Sequence, residues 1–346
     1  MMHASLIPVP RMIPRDNSPL RIALAGYGNM GHIHFKAIQS LQAGDTEDYY
    51  KADLPQHIHR IRVCGICDSN PDKQSLLSGQ RFYQNWDQLL EEQRPHVAII
   101  AAPTAVHYEL AIKALKAGIH TLVEKPISPT LKECQQLIQL AEQQGCRLLA
   151  GHVERYNPVA IKLHHLIHVE GLRIDHYQFE RTQTFPSRIP DDIITDKLIH
   201  DLDLALHFFG SVTQIECLAC KRVEGRIMET EIQLTHGNGI RGQLFVSWLV
   251  PPEAPKYRQV YLQEIHGDTY HGDFIRKQLT RNNVNLPCGV QGWSAPENNQ
   301  IKDQLVDFLA YCLEPVPGIP SPLLSPAEMQ ESICIIEQIR SLSHHV

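Results

Sequence analysis

Apolar residues along this chain follow two rhythms, and the change between them falls near Gly151. Before it, short apolar runs alternate with helix-period stretches. Arg21–Ala25, Ile61–Cys67, His96–Ala102, Thr121–Val123 and Arg147–Ala150 read as buried strands. Between them His32–Leu41, Asn85–Gln93, Val106–Ala117 and Leu131–Gln144 read as helices, the last two stopped by Gly118 and Gly145. This alternation predicts α/β architecture with a doubly wound parallel sheet. After Gly151, Pro158–His168 and Leu198–Phe209 look helical, whereas Arg173–Thr182, Thr213–Val223, Ile227–Thr235, Ile240–Trp248 and Gln259–His266 look extended. Helices followed by a run of strands predict an α+β domain on a mainly antiparallel sheet. Asn282–Asn299 reads as a long polar loop, and Ile301–Leu313 and Pro326–Leu342 as two closing amphipathic helices. The expected divisions are a proline-bearing arm over 1–19, a first domain over 20–150, a second over 151–325 and a terminal helix over 326–346.

Composition narrows the class. A chain of 346 residues, 43% hydrophobic, can bury two cores. Its net charge is −6 and its Lys and Arg are scattered, so nothing favours a nucleic-acid or anionic membrane partner. No apolar run approaches the ~18 residues of a membrane span. Met1–Pro19 has no continuous apolar segment and does not read as a secretory signal. Nine cysteines without a signal then suggest reduced thiols and a cytoplasmic location, while the scattered charge favours a small-molecule partner. Two C-x-x-C pairs occur, Cys64/Cys67 and Cys217/Cys220. The first lies in an apparent strand, where residues i and i+3 face opposite sides, so buried structural thiols are expected and no metal site.

The candidate chemistry begins where the first strand ends. Gly26-Tyr27-Gly28-Asn29-Met30-Gly31 is a G-x-G-x-x-G turn between a strand and a helix. The first glycine permits the tight exit, the second lets backbone approach a pyrophosphate, and the third lets the helix pack closely with its N-terminus toward phosphate. A dinucleotide site is therefore expected, with Asp68 at the end of the second strand accepting from ribose hydroxyls. That carboxylate would repel a 2′-phosphate, which favours NAD over NADP. Asp68 stands further from the glycines than the usual ~20 residues, an excess assigned to a polar insertion over Ala43–His57.

Lys125 follows a strand directly and precedes Pro126, at the carboxyl edge of the sheet where ligands sit in such folds. On a regular helix, Asp196, His200, Asp203 and His207 share one polar stripe, opposite Leu198, Leu202, Leu206 and Phe209. Hydride transfer from an alcohol needs a base for the hydroxyl proton, and an imidazole suits that task. His200 is the expected base, Asp196 its orienting partner, and Lys125 a donor to the reacting oxygen. Reduction of a C=N or C=C bond, metal binding by the same acids and imidazoles, and a non-catalytic NAD-binding regulator stay open on residue type alone.

These motifs, Gly26-x-Gly-x-x-Gly31, Ala102-Pro103-Thr104-x-x-His107, Glu124-Lys125-Pro126 and Asp196-x-x-x-His200-Asp-x-Asp203, resemble in order and spacing the Gfo/Idh/MocA oxidoreductases. The resemblance spans Leu20 to Phe209 most closely. It implies a Rossmann domain and a C-terminal α+β domain with an open sheet used for dimer or tetramer contact. It also implies cofactor contact by Ala102, Pro103, Thr104, His107, Glu124 and Lys125, a catalytic role for Lys125, Asp196 and His200, and substrate contact by Asp203. A narrower similarity, carried by Gly151-His-Val-Glu-Arg-Tyr-Asn-Pro158 and Phe185-Pro-Ser-Arg-Ile-Pro190, is to UDP-N-acetylglucosamine 3-dehydrogenases. It implies that Arg155 and Arg188 pair with a diphosphate. Lys197 and Leu198, where small residues are usual, look closer to inositol dehydrogenases.

Overall fold

The computed structural model describes residues 18–44, 60–186, 191–289, 298–313 and 323–344. Most of the arm, residues 45–57 of the insertion, Arg188 and residues 290–297 of the long loop lie outside the described residues. No helix among the described residues is long and apolar enough to cross a membrane.

The first unit is built from β1 (Leu20–Ala25), α1 (Asn29–Gln42), β2 (Ile61–Cys67), β3 (Phe82–Tyr83), α2 (Trp86–Gln93), β4 (Val97–Ile100), α3 (His107–Lys116), β5 (His120–Glu124), α4 (Leu131–Gln143) and β6 (Leu148–Gly151). Its six strands are parallel, in the order β3-β2-β1-β4-β5-β6. Every residue of β4 and β5 is buried, as expected of a parallel sheet covered on both faces. Local chemistry sets the helix starts: Asn85 caps α2, and Thr130 with Glu133 forms a capping box on α4. Imidazoles fasten two strand ends. His96 Nδ1 accepts from Arg21 N at 3.0 Å, and His120 Nδ1 from Arg147 N at 2.9 Å. Burial, helped by Arg147 and His96, lowers the pKa of His120 to about 4, which keeps it an acceptor at neutral pH.

The second unit holds α5 (Pro158–His168), β7 (Ile174–Thr182), α6 (Ile199–Phe209), β8 (Val212–Val223), β9 (Arg226–His236), β10 (Arg241–Ser247), β11 (Tyr257–Glu264), β12 (Thr269–Asp273), β13 (Gln278–Arg281) and β14 (Val284–Leu286). They form one sheet, β14-β13-β12-β11-β7-β10-β9-β8, antiparallel except for β7 beside β10. Its core face carries Tyr177, Phe179, Ile232, Leu244, Val246 and Val260, in one cluster with residues of α5 and α6. β9 alternates buried and half-buried positions, the signature of a sheet covered on one face.

Two helices close the chain, α7 (Gln300–Leu313) and α8 (Pro326–Leu342). The expected boundaries need correction here. Among the described residues, 299–313 and 323–329 belong to the first unit, and the division falls inside α8 after Met329. The reason is packing on the parallel sheet's own layer. Leu305, Val306, Phe308 and Leu309 are fully buried, Lys302 Nζ lies 3.4 Å from Ser40 Oγ of α1, and the Arg147 guanidinium sits 4.1 Å over the Tyr311 ring while donating to its hydroxyl.

The face argument for the first cysteine pair also fails. The register between β1 and β2 shifts past Val63, inserting Cys64 as an extra residue and breaking strict alternation. Both thiols are buried, and burial pushes Cys67 up to about 11.

Candidate active site

The parallel order reverses between β1 and β4, and open α/β sheets bind ligands outside the carboxyl ends at such a switch. The glycine loop sits there. Gly26 has φ +87°, and a Cβ on it would stand 2.5 Å from the Ala101 carbonyl oxygen. A Cβ on Gly31 would meet the Gly26 oxygen at 2.0 Å, so the helix can start this close only on glycine. Gly28 faces open space. No side chain caps α1, which leaves its first N–H groups for an anion.

Asp68 is placed by two backbone donors: Tyr27 N reaches Oδ2 at 2.7 Å and Asn70 N reaches Oδ1 at 2.9 Å. It lines a cavity of about 300 Å³ shared with Gly26, Asn85, Trp86, Pro103 and Leu110. Lys113, the one cation among the described residues lining it, is held at 3.0 Å by both Asp87 and Glu109. A ribose with free hydroxyls suits this rim; a 2′-phosphate would meet three carboxylates. The residues therefore fit NAD.

Two expected cofactor contacts have their side chains engaged elsewhere. His107 brings Nε2 to 2.7 Å from Ala102 O and Nδ1 to 2.7 Å from Pro126 O, bracing the loops after β4 and β5. Glu124 turns its carboxylate to His34 of α1 at 2.7 Å. Burial is the largest single influence and works to raise the pKa of Glu124, but the His34 hydrogen bond and the charges of His34, Lys125 and His107 together hold the carboxyl below its ordinary value. Lys125 follows, half-buried, joined to Pro126 by a cis peptide bond, its backbone N donating to Glu124 Oε2 at 3.3 Å.

In the second unit the predicted stripe does not survive. Ile194–Leu198 form a π-helical turn running into α6, so Asp196 and His200 are not related by the 3.6-residue period. Both are half-buried, and Asp196 lies 3.2 Å from Lys197 Nζ. Asp203 is fully buried, gripped by the Arg155 guanidinium through contacts of 2.7–3.1 Å, with His152 Nδ1 at 3.5 Å. Arg155 and Asp203, expected at a diphosphate and at the substrate, are thus paired with each other. His207 also turns inward, stacking on His164 at 4.2 Å, and burial with the nearby Arg155 puts its pKa well below the ordinary value.

The largest omission of sequence reasoning is a second fork. Arg181 of β7 holds Asp201 at 2.6–3.0 Å, and Glu154 lies 3.5 Å from Arg181 and 2.5 Å from Arg258. Arg181 shares the inward alternation of Tyr177 and Phe179, a signal that a charge there must find a buried partner. His200 thus sits beside two anchored acids, one residue before Asp201 and three before Asp203. The Glu154-Arg155-Tyr156-Asn157 segment makes structural contacts besides: Asn157 caps α5 and donates to Phe274 O, while Asn298 donates to Tyr156 O.

Comparison with known proteins agrees with this architecture. Residues 20–152 match the Gfo/Idh/MocA oxidoreductase family with its NAD-binding Rossmann fold. UDP-N-acetylglucosamine 3-dehydrogenase of Acidithiobacillus ferrooxidans is 25% identical over 75% of this chain and 76% of its own. Its solved structure superposes with TM-score 0.76 over 94% of this chain and 97% of that one, at 21% identity. An inositol 2-dehydrogenase/D-chiro-inositol 3-dehydrogenase of Lactiplantibacillus plantarum is 29% identical over 43% of this chain and 47% of its own. Levoglucosan dehydrogenase in complex with NADH shares the fold at TM-score 0.79 and 18% identity, over 95% of this chain and 98% of that one. Over residues 20–152 the chain thus matches the NAD-binding Rossmann domain of the Gfo/Idh/MocA oxidoreductases, with NAD as the cofactor.

Proposed function

We propose that this protein is an NAD-dependent dehydrogenase acting on a CH–OH group of a sugar, sugar nucleotide or polyol. The observation that carries the reading is the cradle formed by Gly26, Gly31 and Asp68, with Lys125 on the same carboxyl edge of the sheet. Relatives named as dehydrogenases of UDP-N-acetylglucosamine and inositol supply the substrate class. The cradle of Gly26, Gly31 and Asp68 would hold NAD, which would supply the hydride acceptor. The chain handles the proton and the charge: His200 takes the hydroxyl proton, Asp196 orients the imidazole, and Lys125 donates to the oxygen as negative charge develops on it.

Within that class the 3-hydroxyl of UDP-N-acetylglucosamine is the first substrate to try, supported by the relative whose match covers most of both chains. With Arg155 bound to Asp203, Arg188 is the arginine left to propose for a diphosphate. A homodimer or homotetramer is proposed as the assembly, through the sheet face on which Tyr257 and Tyr261 are each 40% exposed. Incubation with NAD and UDP-N-acetylglucosamine, inositol or simple hexoses, followed by absorbance of the reduced cofactor, tests the reading. Turnover of one of these is expected; no turnover on any would remove them as substrates.

A further inference from the structure

The second C-x-x-C pair lies on β8, where a regular strand would point Cys217 and Cys220 to opposite faces. The pairing with β9 shows otherwise. Cys217 opposes Ile232 and Cys220 opposes Thr230, with the register shifting between Cys217 and Ala219, so Leu218 is the extra residue of a bulge. Ile232 and Thr230 both face the core, and the two cysteines face it with them, half-buried against the same cluster, while Leu218 is exposed. Both thiols converge on Ser343, just beyond α8. Cys217 Sγ is 3.7 Å from its hydroxyl, and the same side chain favours the ionised form of Cys220, against the burial that raises that thiol. Arg222 stands beside them, donating to Ser343 O at 3.3 Å and acting on Cys220 by its charge.

Spacing decides what such a pair can do. Ile232 and Thr230 are two strand positions apart, so their partners' Cα atoms are separated by about 7 Å. That is at the outer limit for a disulfide without backbone movement. Two metal–sulfur bonds of ~2.3 Å in line span about 4.6 Å, a gap that two thiols on one face at this spacing can close. Among the described residues no group of three His, Cys, Asp or Glu side chains could hold a metal, so a four-ligand ion such as zinc lacks its donors here.

We propose that Cys217 and Cys220 form a two-thiolate site for a soft monovalent cation, with Cu(I) as its fitting member. Two S–H bonds break, two metal–sulfur bonds form, and two protons pass to solvent, with no change in oxidation state. The bis-thiolate centre carries one negative charge, which the Arg222 guanidinium offsets. The first pair is the internal contrast, since Cys64 and Cys67 are each only 8% exposed.

Titration of the reduced full-length protein with Cu(I), in competition with a chromogenic Cu(I) chelator under anaerobic conditions, tests this. One equivalent is expected to bind, and Cys217→Ser or Cys220→Ser is expected to lower the affinity at least a hundredfold, while Cys64→Ala leaves it unchanged. Alkylation of the wild-type protein, mapped by mass spectrometry, gives a readout independent of any variant's folding. Cu(I) is expected to protect Cys217 and Cys220 together. Protection of other cysteines, unchanged affinity in both serine variants, or no binding would each overturn the proposal.

Discussion

Asp68 uses one lone pair on each carboxylate oxygen for Tyr27 N and Asn70 N, and each oxygen keeps another for a ribose hydroxyl. A charged acceptor held this way contributes about 1.5–3 kcal/mol per hydrogen bond. Asp68→Ala is therefore expected to weaken NADH binding by about 10- to 100-fold and to narrow the preference over NADPH, as read by titration calorimetry with both cofactors. Lys125→Met should leave NADH affinity within about twofold while lowering kcat by roughly 100- to 1,000-fold, the usual loss of one donor to a developing oxyanion. Equal losses in cofactor affinity and turnover would instead make Lys125 part of the binding cradle. The glycines and Asp68 were legible because their constraints are local: a turn, a close approach, the end of a strand. The pairing of Arg155 with Asp203 was not legible, for the opposite reason. Each has the residue type of a ligand contact, and only a partner 48 positions away along the chain shows that each is used within the core.

At the scale of elements, α6 is positioned by charge as much as by its apolar side. Asp201 and Asp203 fix it to β7 and to the segment before α5. Removing one member of such a buried pair strands the other, at a cost of about 3–5 kcal/mol. Arg181→Met is expected to lower stability by that amount in urea unfolding, and Arg181→Met combined with Asp201→Leu by clearly less than the sum of the single changes. β5 offers a pH test. His120 takes up a proton near pH 4 when folded and near 6.5 when unfolded, so the unfolded chain binds more protons between those values. Stability is then full above pH 6.5 and falls as pH drops through the window, by about 3 kcal/mol at pH 4. His120→Gln keeps an acceptor for Arg147 N without the titration; unfolding midpoints at several pH values should show a shallower acid loss than wild type. Elements with a clear period were read within about three residues. β12, β13 and β14 escaped because they are short, polar on one side and joined by tight turns, and the π-helical turn at Ile194–Leu198 escaped because nothing in a 3.6-residue pattern announces a 4.4-residue one.

For the whole molecule, the instructive departure is α7. Amphipathicity told that this helix packs, not on what, and it completes the unit built by the first half of the chain. A fragment ending at Gly151 would leave uncovered the surface against which Leu305, Phe308 and Leu309 are buried. It is expected to bind a hydrophobic dye and unfold at lower urea than the first-unit transition of the full chain. NAD at a hundred times its Kd should stabilise the unit that binds it by about 2.7 kcal/mol. A melt of the full protein with and without cofactor shows whether both units share that gain.

The parallel pairing of β7 with β10 has a consequence in time. β7 is the inner strand of its sheet, yet its two neighbours lie about sixty and seventy-five residues further on. A ribosome adding roughly 5–20 residues per second leaves Tyr177 and Phe179 waiting several seconds for either edge to be covered. During synthesis the centre of this sheet is therefore its most adhesive part. Chaperones that shield nascent chains should matter more to the yield of this protein between residues 182 and 241 than at any later stretch.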